Sequence, residues 1–320
     1  MEKKNRNTLL TAGAAVSLAA VGAAAHKNAV FIQAERVRML FKKNDEIRDR
    51  GLAEPEDIEK VKDLAYGKDP EQVLDIYYPA GTEKPLPTIV SVHGGAYVYG
   101  SKELYRFYCM SLAQRGFAVV NFSYRLAPEY RYPAQLQDTN AVMRYVCAHA
   151  EENFIDTDRI FIVGDSAGAQ LASQYAAAVT NPAYADILGM EIPKFRLRAC
   201  AFNCGLYRPD PRRDKLMLKC YFDDPDVISS EQMDVLGHIT DSYPPVFIMS
   251  SNGDFLLDRV KEFADLLTMK GVEHEVHIYS PKDRKLGHVF HCNMNEPYAK
   301  QCNDEECAFF RKLLPHNSFI

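Results

Sequence analysis

The stretch "RIFIVGDSAGAQLASQYAAAV", Arg159–Val179, passes from an apolar β-rich run through a small-residue turn directly into an alanine-rich helix. The turn carries the pattern Gly-x-Ser-x-Gly between Gly164 and Gly168. Small residues on both sides permit a sharp strand-to-helix turn that leaves the central Ser166 exposed at the edge of a sheet. The first N–H groups of the new helix also point toward any anion that forms near this serine. The pattern therefore predicts that Ser166 is a nucleophile.

A serine hydroxyl is a weak nucleophile at neutral pH, so it needs a base and an acid that orients this base. In a strand–turn–helix context both are expected after Ser166, in the order acid and then histidine. Asp254 closes the β-rich run "PVFIMSSNGD", and Asp258, one helical turn later, is the competing acid. His288 lies on the loop after the last β-rich run, and His291 is the alternative base. We expect a catalytic triad of Ser166, Asp254 and His288.

The stretch "TIVSVHGGAYVYGS", Thr88–Ser101, places two glycines directly after another β-rich run. Attack on an ester carbonyl puts negative charge on its oxygen, and fixed N–H donors stabilise that charge. Glycines leave such donors unobstructed, and the residue after the nucleophile supplies a further N–H group. We therefore expect an oxyanion hole formed by Gly94, Gly95 and Ala167, with His93 holding the loop in shape.

Short β-rich runs alternate with helical stretches from Val73 onward, which is typical of βαβ units. This pattern predicts an α/β fold with a mostly parallel central sheet, flanking helices and ligands at the carboxyl ends of the strands. Residues 28–60 are predicted to contain an amphipathic helix, and residues 61–320 to form the catalytic domain. The segment at about 207–242 breaks the alternation and is interpreted as an insertion. We expect the amphipathic helix and the insertion to form a small helical lid.

The N-terminal residues 1–27 differ in composition from the remainder of the chain. Three basic residues, Lys3, Lys4 and Arg6, precede the uncharged run Thr8–Ala25, which ends in Ala-x-Ala form. This arrangement is typical of a signal peptide or a signal anchor. We predict an exported or membrane-anchored protein that associates with the membrane through this segment. An N-terminal helix of a cytoplasmic protein is the alternative.

Composition narrows the classes of partner. The formal net charge of −5 is spread along the chain without a basic stripe, which argues against nucleic acid as a partner. The eight cysteines do not form a disulfide framework in a chain of 320 residues, and we interpret them as free structural thiols. Cys292, Cys302 and Cys307 lack the paired C-x₂-C spacing of zinc sites, so no metal site is predicted.

Six successive stretches together resemble the signatures of one family of esterases. They are "LDIYYP", "VSVHGGAYVYGS", "YRLAPEYRYPAQLQD", "DTDRIFIVGDSAGA", "NGDFLLD" and "GHVFH". In this order, from about Val73 to about His291, they resemble the hormone-sensitive-lipase-like branch of the α/β-hydrolase fold. The resemblance implies a carboxylesterase with the triad and oxyanion hole named above, a helical lid and no cofactor.

Two residues depart from the family's usual pattern. Ala96 stands where a third glycine usually follows the histidine, and Ala169 stands where a glycine commonly follows Gly168. Alanine keeps its backbone N–H, so donation is retained where the local φ angle suits alanine. We expect a tighter pocket rather than a loss of activity.

The predicted reaction is hydrolysis of a small-molecule ester, with a small to medium acyl chain, through an acyl-enzyme. An amidase or peptidase that uses the same triad is the alternative, because an acyl-enzyme does not reveal its leaving group. A non-catalytic ligand receptor on the same fold is a third hypothesis. The oligomeric state is left open by the sequence.

Overall fold

The computed structural model describes residues 28–314, so the predicted segment 1–27 lies outside the described residues. Eight strands form one sheet in the order β1-β2-β4-β3-β5-β6-β7-β8. Their bounds are β1 Ile58–Ala65, β2 Val73–Pro79, β3 Leu86–Val92, β4 Ala118–Phe122, β5 Ile155–Asp165, β6 Leu197–Asn203, β7 Val246–Ser251 and β8 His274–Tyr279. β2 pairs antiparallel with β1 and β4, and all other neighbours are parallel. The prediction of a mostly parallel α/β sheet is confirmed.

Helices cover both faces of this sheet. Their bounds are α1 residues 28–48, α2 Lys102–Ala113, α3 Ala134–Ala148, α4 Ala167–Thr180, α5 Pro182–Ile187, α6 Lys215–Tyr221, α7 Val235–His238, α8 Leu257–Lys270 and α9 Pro297–Lys312. Among residues 28–314, no helix combines the length and apolar character needed to cross a membrane.

The central strand β5 shows why the sheet has two covered faces. Its apolar run is buried throughout, as expected for a parallel strand with helices on both sides. Ile160 and Ile162 pack into the core beneath α3, α4 and α8, whereas Phe161 and Val163 pack into the core beneath α2 and α9. Alternate side chains thus hold two helical layers, and the carboxyl end of β5 stays at the centre of the sheet.

The amphipathic helix occupies the first part of the segment predicted to contain it. α1 ends at residue 48, and residues 58–60 of that segment begin strand β1. The intervening residues 49–57 contain Gly51 and Pro55, neither of which favours a continuing helix. β1 then pairs with β2 at the edge of the sheet, with Ile58 opposite Pro79. The catalytic domain therefore includes a strand that precedes its predicted boundary at residue 61.

The predicted insertion lies between β6 and β7, where α6, two short 3₁₀ turns and α7 follow one another. It meets α1, because the Cys220 thiol on α6 lies 3.8 Å from the Val30 carbonyl oxygen. Tyr221 of α6 also stacks on Tyr97 of the loop after β3, with ring centroids 3.7 Å apart. The helix and the insertion thus lie together over the carboxyl end of the sheet.

The side chain of Arg38 connects α1 to two loops of the protein. The Arg38 guanidinium donates to the carbonyl oxygens of Val98 at 2.8 Å and Ala127 at 3.1 Å. It also forms an ion pair with Glu129 at 2.6 Å. Because these partners lie on two loops at the carboxyl edge of the sheet, Arg38 fixes α1 over that edge.

We expect Arg38→Ala to loosen α1 selectively. Hydrogen bonds to a charged group contribute about 1.5–3 kcal/mol each, and their loss leaves two carbonyl oxygens without their donor. Limited proteolysis in residues 49–57 should accelerate, and the free energy of unfolding should fall by about 1–3 kcal/mol. Arg36→Ala, at an exposed position of the same helix, is the matched control and should change neither quantity. Equal proteolysis of both variants would contradict the role of Arg38.

Candidate active site

Ser166 occupies a strained turn between β5 and α4. Its backbone has φ 52° and ψ −118°, a conformation that non-glycine residues rarely adopt. The Ser166 N–H donates to the Asn203 carbonyl oxygen at 3.0 Å, which ties the turn to the end of β6. A Cβ atom on Gly168 would lie 2.1 Å from the Val92 carbonyl oxygen, so only glycine permits α4 to start this close to β3. The predicted strand–turn–helix context is therefore present.

Asp254 and His288 form a hydrogen-bonded pair at the same edge of the sheet as this turn, because β5 to β8 run parallel. His288 Nδ1 lies 2.7 Å from Asp254 Oδ1, although the two residues come from separate loops after β7 and β8. The Asp254 carboxylate also accepts a hydrogen bond from Ser250 Oγ at 2.6 Å and one from the Leu256 N–H at 2.9 Å. Burial favours the protonated carboxyl, but the hydrogen bond and charge of His288 outweigh it and hold the pKa of Asp254 below its ordinary value. The Asp254 side chain is therefore favoured as a carboxylate hydrogen-bonded to the imidazole of His288.

Asp258 and His291, the alternative acid and base, have other surroundings. Asp258 is exposed and pairs with Arg213. His291 is fully buried, and this burial lowers its pKa to about 3, so its ring stays neutral. The structure therefore pairs Asp254 with His288, and within residues 28–314 no hydrogen bond joins Asp258 or His291 to that pair.

The Ser166 hydroxyl has no hydrogen-bond partner among residues 28–314, although its residue is partly exposed to solvent. In ligand-free enzymes, the bond between a nucleophile and its base is often long and tightens only when substrate binds. An unbonded Ser166 Oγ is thus compatible with a role for His288 as its base.

The predicted oxyanion donors differ in their availability. The Gly94 N–H donates to Tyr105 Oη at 3.0 Å, and this hydroxyl donates in turn to Asp165 Oδ2 at 2.7 Å. The Gly94 N–H is therefore not free to face an oxyanion, which corrects the prediction for this residue. Within the described residues, the N–H groups of Gly95 and Ala96 have no partner. The N–H of Ala167 lies at the first position of α4, where helices leave N–H groups unpaired.

The loop after β3 holds these donors in a tight left-handed turn. Gly95 has φ 113°, and a Cβ atom there would lie 2.1 Å from the Tyr99 carbonyl oxygen. Ala96 and Tyr97 also have positive φ angles, 54° and 63°. This conformation costs an L-residue about 1–2 kcal/mol, so Ala96 is accommodated with strain at the position where the resembled family usually has glycine. The backbone bond from the Tyr99 N–H to the Gly95 carbonyl oxygen, 3.0 Å, closes the turn.

The side chain of His93 packs against this loop. Its ring stacks on Tyr124 at 3.9 Å between centroids, and its Nδ1 lies 2.7 Å from the Gly94 carbonyl oxygen. Burial lowers the pKa of His93 to about 4, so the ring is neutral at physiological pH. These contacts give His93 a structural place in the loop.

Two buried carboxyl groups lie beneath the turn at Ser166. Burial raises the pKa of Asp165 to about 6 and that of Glu306, on α9, to about 7. Glu306 accepts a hydrogen bond from Asn203 Nδ2 at 2.7 Å and one from Tyr108 Oη at 3.0 Å. Because the Asn203 carbonyl oxygen accepts a hydrogen bond from the Ser166 N–H, this network reaches the backbone of Ser166.

Phe255 is a residue at the site that the sequence analysis did not single out. Its ring lies 4.3 Å from the ring of His288, yet 65% of the residue is exposed. The Phe255 ring therefore packs against the imidazole of His288 and presents an apolar surface to solvent. Its position next to Asp254 in "NGDFLLD" is the signal that would have found it.

The sheet order, the flanking helices and the turn after β5 are those of the α/β-hydrolase fold. The domain family described as BD-FAE matches residues 74–196. The carboxylesterase NlhH of Mycobacterium tuberculosis is 30% identical over 238 residues, which cover 69% of this chain and 73% of that protein. An ethyl acetate hydrolase of Pseudomonas putida is 25% identical over 259 residues, covering 75% of this chain and 79% of that protein.

A solved structure adds a likeness over most of the chain. Esterase B from Lactobacillus rhamnosis, inhibited by a C4-C4 tributyrin phosphonate, matches with a TM-score of 0.79 at 25% identity. The match covers 89% of this chain and 96% of that chain. The chain belongs to the α/β-hydrolase esterases of the hormone-sensitive-lipase-like branch, which confirms the resemblance. It is a carboxylesterase-type hydrolase.

We expect Glu306→Gln to weaken the pH dependence of stability. The pKa of Glu306 is raised by burial, so the folded protein holds a proton that the unfolded chain releases near pH 4.5. The free energy of unfolding should therefore fall as pH rises from about 4.5 to about 7, and the amide should make this fall shallower. The free energy of unfolding is measured by urea denaturation at intervals of half a pH unit.

Asp304→Asn is the matched control. Asp304 lies on the same helix, and its exposed carboxylate pairs with an arginine, Arg115, at 2.8 Å. Its substitution should leave the fall between pH 5 and 7 unchanged. Identical pH profiles for wild type and Glu306→Gln would show that the buried carboxyl does not titrate in this range.

Proposed function

We propose that Ser166, Asp254 and His288 form a catalytic triad that hydrolyses small carboxylic esters through an acyl-enzyme. The observation that carries the proposal is the 2.7 Å hydrogen bond between Asp254 and His288, at the same edge of the parallel sheet as the strained turn of Ser166. Asp254 holds the proton on Nδ1 of His288, which leaves Nε2 free to accept a proton. An oriented neutral imidazole is the base that Ser166 requires.

The reaction follows in two steps. His288 takes the proton of Ser166 as the hydroxyl oxygen attacks the ester carbonyl, and then gives this proton to the departing alcohol. A water molecule next attacks the acyl group on Ser166, with His288 again as base, and releases the acid. Asp254 stabilises the imidazolium that forms in each step.

The oxyanion that forms in both steps is proposed to face the N–H groups of Gly95, Ala96 and Ala167. Gly95 and Ala96 lie in the turn after β3, and Ala167 follows the nucleophile at the start of α4. Loss of one such donor typically costs about 3–4 kcal/mol of transition-state stabilisation. Gly94 is proposed to act indirectly, because its bond to Tyr105 holds the turn above Asp165.

The substrate is proposed to be an ester with a small to medium acyl chain. A relative is named for the hydrolysis of ethyl acetate, and a structural neighbour is inhibited by a tributyrin phosphonate. α1 and the insertion between β6 and β7 are proposed to form the lid over the pocket, because they meet above the carboxyl end of the sheet. The exposed ring of Phe255 is proposed to contact the substrate beside His288.

We further propose that the protein contacts a membrane surface through α1. The outward face of this helix presents four exposed large apolar side chains: Ile32, Met39, Leu40 and Ile47. Arg36 and Lys43 share this face by helical spacing, which suits an apolar–cationic helix that lies on anionic lipid. The uncharged run Thr8–Ala25 precedes this helix and is proposed to serve as a signal or anchor segment.

We expect Ser166→Ala to lower the turnover of p-nitrophenyl butyrate by at least about 10⁴-fold without unfolding the protein. Ser173→Ala, on the same helix, is the control and should retain turnover, because its hydroxyl only bonds the Gln170 carbonyl oxygen. A fluorophosphonate should label wild type and the control but not Ser166→Ala. Unchanged turnover in Ser166→Ala would exclude the triad.

Matched esters and amides decide between an esterase and an amidase or peptidase. A fold-only ligand receptor would neither hydrolyse the esters nor react with the fluorophosphonate.

We expect the double variant Met39→Ser/Leu40→Ser to bind vesicles less than wild type does. The full-length protein is floated with vesicles of phosphatidylglycerol and phosphatidylcholine, because anionic lipid attracts the cationic positions of α1. Val276→Ser/Ile278→Ser, which changes two exposed apolar residues on β8, is the matched control and should float like wild type. An equal bound fraction for all three proteins would show that α1 does not contact the bilayer.

A further inference from the structure

A cysteine that the proposed reaction does not use lies against the Asp254–His288 pair. Cys204 follows the last residue of β6 and is fully buried. Its sulfur accepts a hydrogen bond at 3.4 Å from the N–H of Val289, the residue that follows His288 in the chain. A carboxylate oxygen of Asp254 also lies within 4.8 Å of this sulfur. Three strand ends, those of β6, β7 and β8, thus bring a thiol, a carboxylate and an imidazole together.

The three donor atoms are arranged as a set of metal ligands. The Cys204 sulfur, a carboxylate oxygen of Asp254 and a ring nitrogen of His288 all lie within 4.8 Å of one another. Around a tetrahedral zinc ion, bonds of about 2.0–2.3 Å place such donors about 3.4–3.6 Å apart. Small movements of the two loops that follow β7 and β8 would therefore bring all three atoms into a first coordination sphere.

The donor types restrict which cation fits. Hard cations such as Mg²⁺ and Ca²⁺ take several oxygen ligands, and this cluster offers only one carboxylate. A thiolate together with an imidazole instead favours a soft or borderline divalent ion. The fourth tetrahedral position remains for water, because the cluster supplies three donors.

We propose that Cys204, Asp254 and His288 form an inhibitory site for a thiophilic divalent cation of the zinc and cadmium group. The inhibitory effect rests on the proposed function, whereas the binding itself does not.

Binding of the cation releases one proton from the site and moves a second one within the imidazole. The cation forms bonds to the Cys204 sulfur, to an Asp254 oxygen and to Nδ1 of His288. The thiol proton leaves to solvent, and the proton on Nδ1 moves through solvent to Nε2, so the imidazole stays neutral. A histidine that carries its proton on Nε2 cannot accept the proton of Ser166, so the esterase reaction stops. Removal of the cation by a chelator restores the original tautomer and the activity.

Cadmium binding is measured directly on the full-length protein, through the ultraviolet absorption of the cadmium–thiolate bond and by titration calorimetry. Wild type and Ser166→Ala should each bind one Cd²⁺ with equal affinity, because Ser166 is not a ligand. Cys204→Ser should lose the absorption band and bind at least about tenfold more weakly, since even outer-shell changes around a metal cost about 10–100-fold. Cys204→Ala is the second variant should the serine disturb the buried site.

Cys147→Ser is the matched control. Cys147 lies partly exposed on α3, and its thiol bonds only the Lys194 carbonyl oxygen. This variant should bind Cd²⁺ and be inhibited by it as wild type is. Hydrolysis of p-nitrophenyl butyrate should fall at least about tenfold when Cd²⁺ saturates wild type, recover with EDTA, and stay unaffected by Mg²⁺. Each variant is compared with its own metal-free rate.

Two results would overturn the proposal. Retention of the absorption band and the affinity in both Cys204 variants would place the cation on another cysteine. Binding of Cd²⁺ at Cys204 without inhibition of wild type would show that His288 is not a ligand. If Ser166→Ala keeps its turnover but binds Cd²⁺ through Cys204, the proposed triad fails while the metal site stands.

Discussion

The abrupt passage from β5 to α4 at Ser166 is the constraint on which the rest of the site depends. The chain changes from strand to helix at one residue, and that residue carries the strained backbone angles. The turn is possible because Gly168 brings α4 against the Val92 carbonyl oxygen, at the end of β3. The same contact sets the start of α4 beside the loop that follows β3. The serine and two sources of N–H donors therefore share one geometric cause.

A polar layer beneath the turn links elements that are distant in sequence. Tyr105, on α2, bonds both the Gly94 N–H and the Asp165 carboxylate, so it ties the loop after β3 to the end of β5. Glu306, on α9, ties Asn203 to Tyr108 in the same way. Buried polar networks of this kind hold one arrangement of the backbone, because every rearrangement leaves a group without its partner. The positions of the donors thus depend on side chains that do not contact substrate.

The features that lie at the ends of strands could be predicted from the sequence. The alternating β-rich runs predicted the parallel sheet, and the order of motifs predicted the esterase class; both predictions are confirmed. Asp254 and His288 were selected because each follows a strand run, and the structure pairs them. Their catalytic roles stay predictions. Chain order carries this information because parallel strands end at one edge of the sheet.

The features that the sequence could not supply depend on contacts between distant residues. The Gly94 N–H was predicted to be free, but its partner Tyr105 comes from the following helix, and no local pattern records that contact. The first three residues of the edge strand β1, residues 58–60, fell in the segment predicted to contain the amphipathic helix, because their strand conformation depends on pairing with β2. Cys204 was grouped with the structural thiols, since its nearness to Asp254 and His288 arises only when three strands align.

The attachment of α1 has a consequence for how the pocket is oriented. One face of this helix is attached through Arg38 to the loops that follow β3 and β4. A short helix held in this way acts as a rigid spacer. Any contact that orients the free face of α1 therefore also orients the carboxyl edge of the sheet, and with it the direction in which the site faces.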